Sequence, residues 1–318
     1  MPGQHDPDVP PMPSVARSGS SAPSGLRRLL RDYGLQPRKS LGQHFLVDRG
    51  ALQRIVRAAD LVSTDTVIEV GPGPGILTRE LLARAGRVIA VEKDERMADM
   101  LARELADPRL TVVTGDMLEV APEALLDLEV RSPLPFREGG QGVGSYKVVA
   151  NLPYYVAAPI LRQFLEARLR PKLMVVLLQK EVAERAAARP GDMSLLSLGV
   201  QLYARPTVVG IVKAGSFYPP PKVDSAIVRL DVLEQPAADV APELFFKVAA
   251  AGFSAKRKQV ANSLAHGLGI ERDEAVKALR EAGIEPQRRA ETLSIPEWAA
   301  LCRALQPKGR AMEAVVGR

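Results

Sequence analysis

Asn151-Leu152-Pro153-Tyr154 is the stretch of this 318-residue chain whose residue types could act on a planar amine. It follows the apolar run Lys147-Val148-Val149-Ala150, which reads as a buried strand. The four residues therefore stand at a strand's carboxyl end, where open α/β sheets bind ligands. An amide side chain and the carbonyls flanking a proline offer acceptors for the hydrogens of an exocyclic amine. The tyrosine ring offers a π-face for the base that carries it.

A second set of residues could hold a reactive partner for such an amine. Glu69-Val70-Gly71-Pro72-Gly73-Pro74-Gly75 is a glycine loop between a strand and a helix, a common nucleotide cradle. Its third glycine comes too early for the dinucleotide pattern, and its two prolines remove donors that a pyrophosphate needs. It suits a ligand that requires close backbone approach at Gly71 and Gly73 but carries no phosphate. Glu92 ends the next strand, where an acid can bind ribose hydroxyls. Asp116, after Gly115, ends the third, where a carboxylate can accept from an adenine amine. Singly these are a tight turn and two surface acids. Together, in order and at successive strand ends, they describe a site for S-adenosyl-L-methionine.

The elements that must position these residues follow from periodicity. Strands are expected at 66–70, 87–91, 110–113, 147–150 and 173–178, alternating with helices at 51–59, 76–85, 96–105 and 159–167. Such βαβ alternation implies an α/β protein with a mostly parallel sheet covered on both faces. Strands at 207–212 and 223–230, joined by Tyr218-Pro219-Pro220-Pro221, suggest an antiparallel finish. Beyond a linker near residue 236 only helices are expected, at 242–251, 256–266, 272–282 and 296–304. The organisation read from this is a disordered tail at 1–24 and an α/β domain at 25–235. A small all-α domain at 236–308 and a flexible tail at 309–318 follow. Residues 132–145, rich in Gly and Pro, read as a flexible insert.

Bulk composition narrows the class. With 46% hydrophobic and 25% charged residues, the chain has the balance of a globular protein. No apolar run reaches the roughly 18 residues of a membrane span, so a membrane partner is not expected. One cysteine and three scattered histidines (His5, His44, His266) argue against both a disulfide framework and a zinc site; no metal is expected, and a cytoplasmic location is. The net charge of +6 permits a nucleic-acid partner without requiring one.

Lys39-Ser40-Leu41-Gly42-Gln43-His44-Phe45-Leu46, the Gly71 loop, Val91-Glu92-Lys93-Asp94, Gly115-Asp116, Asn151 to Tyr154 and Phe217-Tyr218-Pro219-Pro220-Pro221-Lys222-Val223 together resemble the ribosomal RNA adenine N6-dimethyltransferases. The likeness spans about residues 26–305 and is nearest to the bacterial small-subunit branch, with the Erm resistance methyltransferases as relatives. It implies a Rossmann-like class I methyltransferase sheet with a helical C-terminal domain that binds rRNA. The implied partner is 16S rRNA in the small ribosomal subunit, and the expected state is a monomer.

By position, His44, Leu46, Gly71, Gly73, Glu92, Asp116 and Asn151 would contact the cofactor. Asn151, Leu152, Pro153, Tyr154 and Phe217 would hold the target base, Tyr154 and Phe217 as its two stacking faces. Lys222, Lys256, Arg257, Lys258, Arg288 and Arg289 would bind RNA. His44 stands where the family often has asparagine, and Pro190 to Leu195 lacks a tyrosine and a second glycine that many relatives carry there. Two alternatives stay open on the residues alone: an Erm-like enzyme of 23S rRNA, and a non-catalytic ribosome-assembly factor on the same fold.

Overall fold

The computed structural model describes residues 23–38, 41–127, 145–255 and 257–306. Its strands, in chain order, are β1 Phe45–Leu46, β2 Thr66–Val70, β3 Arg87–Glu92, β4 Leu110–Thr114, β5 Tyr146–Asn151, β6 Leu173–Gln179, β7 Ala204–Val212, β8 Phe217–Tyr218 and β9 Ser225–Val232. Seven of them form one sheet in the order β4-β3-β2-β5-β6-β9-β7. The five from β4 to β6 run parallel, and β9 is antiparallel to both β6 and β7. The chain leaves β2 outward through β3 and β4, then crosses back to β5 on the other side. The sheet's switch point therefore lies between β2 and its neighbours, where such sheets open a ligand crevice.

The helices are α1 Pro23–Asp32, α2 Arg49–Ala58, α3 Ile76–Leu82, α4 Glu95–Glu104, α5 Pro122–Asp127, α6 Ala157–Glu166, α7 Lys180–Ala186, α8 Leu195–Gln201, α9 Pro242–Gly252, α10 Val260–Leu268, α11 Arg272–Glu281 and α12 Ile295–Leu305. Strand side chains alternate between faces, and the core follows that alternation. Val67, Val88, Val149 and Val175 pack beneath α2 and α3. Ile68, Ile89, Val148 and Val176 face the opposite way, in a cluster that continues without a break into Trp298, Leu301 and the terminal helices.

Local chemistry sets the helix starts. Asp48 caps α2 by accepting from the Ala51 N–H at 2.7 Å. Ser294 and Glu297 form a reciprocal capping box at α12.

Several expectations are corrected. α1 starts at Pro23, inside the expected tail, because Leu26 and Leu30 pack on Met97 and Met100. The helix expected from 256 begins only at Val260: Gln259 is extended, and the apolar face that needs burial starts at Val260. α5, α7 and α8 were not expected, nor were β1 and β8, which pair antiparallel as Phe45 with Tyr218 and Leu46 with Phe217. A two-residue strand has no periodicity to read. The remainder of both tails, the insert up to residue 144, and Lys256 lie outside the described residues. Among those described, no helix is long and apolar enough to cross a membrane.

Candidate active site

The carboxyl ends of β2, β3, β4 and β5 surround an open cleft, the place where such sheets bind ligands. Its floor is the glycine loop, where Gly71, Gly73 and Gly75 all take positive φ, between 52° and 76°. At Gly73 a side chain is excluded twice over, by this φ and by Phe45, whose ring would lie 2.8 Å from an added Cβ. At Gly71 the space is open, with only Pro153 within reach of a Cβ, at 3.8 Å.

Glu92 ends β3 and is 5% exposed. Its carboxylate accepts from the Gly73 N–H at 3.0 Å and the Asp94 N–H at 2.9 Å. Burial pushes this carboxyl above its usual range, and the two N–H groups only partly offset that. Asp116, after β4, accepts from the Leu118 N–H and pairs with the Lys93 ammonium at 2.6 Å. That bond holds Asp116 below the usual carboxylate range, so it stays ionised. The cleft thus presents a strand-end acid fixed by the loop it serves and another fixed by a lysine.

Asn151 ends β5 and points its amide at the N-terminal segment: Nδ2 donates to the His44 carbonyl at 2.8 Å. Oδ1 accepts no hydrogen bond among the described residues. The Pro153 carbonyl accepts from the Val156 N–H at 3.1 Å, while the Leu152 carbonyl accepts no turn or cap bond. His44 is anchored through Nδ1 to the Pro219 carbonyl at 2.8 Å, and its ring stacks on Tyr154 at 5.7 Å. The Tyr154 hydroxyl bonds the Ser225 hydroxyl at 2.6 Å. Asn151, Leu152, Pro153, Tyr154, His44, Gly71, Gly73, Glu92 and Asp116 all line the one cleft.

Two expected site residues lie elsewhere. Phe217 is 3% exposed and packs with Leu46, Leu52 and Val212 behind the cleft. Its pairing with Leu46 turns the ring into the core, so it is no opposing face for a base. Leu46, 4% exposed, lines a crevice beneath the glycine loop and not the cleft itself.

Two residues were missed. Glu69, 1% exposed inside β2, lines that same crevice with a carboxyl oxygen that has no partner. Burial pushes it up to about 8, so it is neutral at neutral pH. An acid within an apolar strand was the available signal. Tyr155 lines the cleft and is 56% exposed; a second aromatic after Tyr154 was the signal there.

The expected RNA cations divide. Lys222, Arg257 and Lys258 are exposed, and their side chains make no hydrogen bond or ion pair among the described residues. Arg289 reaches Glu291 at 3.7 Å. Arg288 is structural: it pairs with Glu297 and donates to the Thr292 carbonyl at 2.6 Å, tying the approach of the chain to the start of α12. Among the described residues no cluster of His, Cys, Asp and Glu could hold a metal.

The sequence pattern of the family described as Ribosomal RNA adenine dimethylase matches residues 34–306. The chain is 47% identical over 293 residues to "Ribosomal RNA small subunit methyltransferase A" of Dehalococcoides mccartyi strain BAV1, covering 92% of this chain and 96% of the relative. It is 44% identical over 299 residues to the protein of that name from Moorella thermoacetica, covering 93% and 100%. Among solved structures, a dimethyladenosine transferase from Plasmodium falciparum superposes with a TM-score of 0.65 at 26% identity, over 81% of this chain and 96% of that one. The 23S rRNA methyltransferase ErmE does so at 0.63 and 28%, over 82% and 99%. Family pattern, relatives and fold agree with the strand-end constellation, and the chain belongs to the ribosomal RNA adenine dimethylase family.

Proposed function

We propose that this chain dimethylates the N6 amines of two adjacent adenosines near the 3′ end of 16S rRNA in the small ribosomal subunit, with S-adenosyl-L-methionine as donor. The observation that carries this reading is Asn151, whose Nδ2 is occupied by the His44 carbonyl and whose Oδ1, like the Leu152 carbonyl on the same cleft, has no partner among the described residues. That is a pair of acceptors for the two hydrogens of one exocyclic amine.

The residues fit the cofactor. Gly71 leaves its backbone open to close approach, and Glu92 and Asp116 stand at successive strand ends on the same cleft. Gly71 and Gly73 would hold the methionine part, Glu92 the ribose and Asp116 the adenine, with His44 and Asn151 closing the site. When bound, the cofactor supplies an electrophilic methyl on a sulfonium.

The chain's own residues make the amine reactive. An adenine amine is a poor nucleophile because its lone pair is delocalised into the ring. Accepting both N–H bonds at Asn151 Oδ1 and the Leu152 carbonyl favours a pyramidal nitrogen. It also stabilises the positive charge that grows there. Pro153 contributes by its ring, since its carbonyl belongs to the Val156 N–H. Tyr154, locked by Ser225 and His44, is a rigid stacking face for the target base, worth about 1–3 kcal/mol. Held geometry supplies several kcal/mol more. Transfer of the methyl would break its C–S bond and leave a neutral thioether, and the methylated nitrogen would lose one proton to solvent, so no general base is needed. Exposed Lys222, Arg257, Lys258 and Arg289 contribute phosphate contacts, which give affinity and salt dependence but not sequence choice.

The small-subunit target is supported by relatives at 40–47% identity that carry that name, against 28% for ErmE. The test is methylation of immature small subunits with labelled cofactor, followed by mapping of the modified bases. Label on adjacent adenines near the 3′ end is expected. Label on large-subunit rRNA instead sinks the reading.

A further inference from the structure

Tyr155 is the aromatic residue among the exposed large apolar side chains described, in a chain with only 4% aromatics. It directly follows Tyr154, yet the two rings part. Tyr154 is bound to Ser225 and stacked on His44. Tyr155 stays 56% exposed at the mouth of the same cleft, its hydroxyl without a hydrogen bond among the described residues. An exposed ring forfeits the gain of burying its apolar surface.

The ring is nevertheless seated. A Cβ at Gly42 would meet Tyr155 Cδ1 at 3.2 Å and Cε1 at 3.5 Å, and Gly42 has a φ of +59°. The ring thus rests against a backbone position that only glycine can occupy at this distance. One side is supported and the rest is open to solvent. Leu118 adds a second exposed apolar side chain, next to the cleft residue Met117. A supported aromatic with a free face, beside a pocket for a base, suits a second base.

An adenine that enters the cleft as part of RNA brings its neighbour to the rim. We infer that Tyr155 is a second stacking platform, which takes the nucleobase adjacent to the target adenine while the target itself lies in the cleft. This rests on the rRNA adenine reading of the site. Stacking on an aromatic face tolerates any base, so Tyr155 would fix the register of the strand without reading its sequence. Where two adjacent adenines are both substrates, the platform would hold one while the other reacts.

The test uses the full chain and a short single-stranded RNA with 2-aminopurine next to an adenosine, read by quenching of its fluorescence. Steady-state kinetics on immature small subunits run alongside. Tyr155→Phe should keep the quench. Tyr155→Leu, which retains apolar bulk against Gly42, should lose it, as should Tyr155→Ala. In the two that lose it, KM for the subunit should rise about 5- to 150-fold, with a smaller change in kcat and unchanged cofactor affinity without RNA. Quenching in Tyr155→Leu equal to wild type overturns the inference. So does a loss of cofactor affinity that matches the loss on RNA, since the ring would then serve the cofactor. If wild type itself fails to label small-subunit rRNA, the functional reading fails instead, and the two failures are distinct.

Discussion

The cleft and the C-terminal helices use polar residues in opposite ways. In the cleft, acceptors are left open: neither Asn151 Oδ1 nor the Leu152 carbonyl has a partner among the described residues. At the start of α12 the polar groups are closed on one another. Glu297 takes the Ser294 N–H at 2.8 Å and the Ser294 hydroxyl at 2.9 Å, and pairs with Arg288, which also serves Thr292. Buried polar groups are normally paired. Openness at the strand ends is what the proposed ligand role requires, and closure at α12 is a fastening. Residue type alone does not separate the two, because a glutamate stands in each, Glu92 in the cleft and Glu297 at α12.

The strongest way to break this contrast is at the open acceptor. Asn151→Ala should lower turnover by about two to three orders of magnitude, the scale of removing one preorganised partner of a developing charge. Cofactor affinity, measured by direct titration, should fall much less. Wild-type turnover in this variant would mean that the free Oδ1 has no part in the reaction.

Glu69 tests whether an open group inside the sheet carries a measurable strain. Folded, it keeps its proton up to about pH 8, while the unfolded chain releases it near 4.5. Between those values folding takes up a proton, so stability falls as pH rises, by at most about 1.4 kcal/mol per unit. Glu69→Gln removes the titration. The melting temperature of wild type should drop relative to that of the variant between pH 5 and 8. Parallel curves would show that the carboxyl is not held neutral in the fold.

What could be read from the sequence follows the same division. β2, β3, β5 and β6 were legible because buried parallel strands are continuous apolar runs. The ends of β3, β4 and β5 were legible because an acid or amide that stops such a run is conspicuous. Phe217 was misjudged because its direction is set by pairing with Leu46, 171 positions away in sequence, through two-residue strands. Arg288 was misjudged because a lone arginine pair before a helix looks the same whether it meets phosphate or Glu297. Tyr155 went unremarked because its support comes from Gly42, which no local pattern links to it.

The smallest expected effects sharpen the contrast most, because they cross. Arg288 and Glu297 are each about a third exposed, and burial pushes the Glu297 carboxyl up while Arg288 and Ser294 more than offset it. Arg288→Ala leaves Glu297 without its cation and should lower stability by about 2 kcal/mol, seen as a lower denaturation midpoint. The salt dependence of RNA binding should be unchanged. Lys258 is exposed and unpaired among the described residues. Lys258→Ala should leave stability within about 0.5 kcal/mol of wild type. If Lys258 meets a phosphate, the slope of log affinity against log salt should flatten by about 0.7–0.9. Should Arg288→Ala flatten that slope and keep full stability, the closed network at α12 would be an RNA contact after all, and the division between open and closed polar groups would fail where it is most explicit.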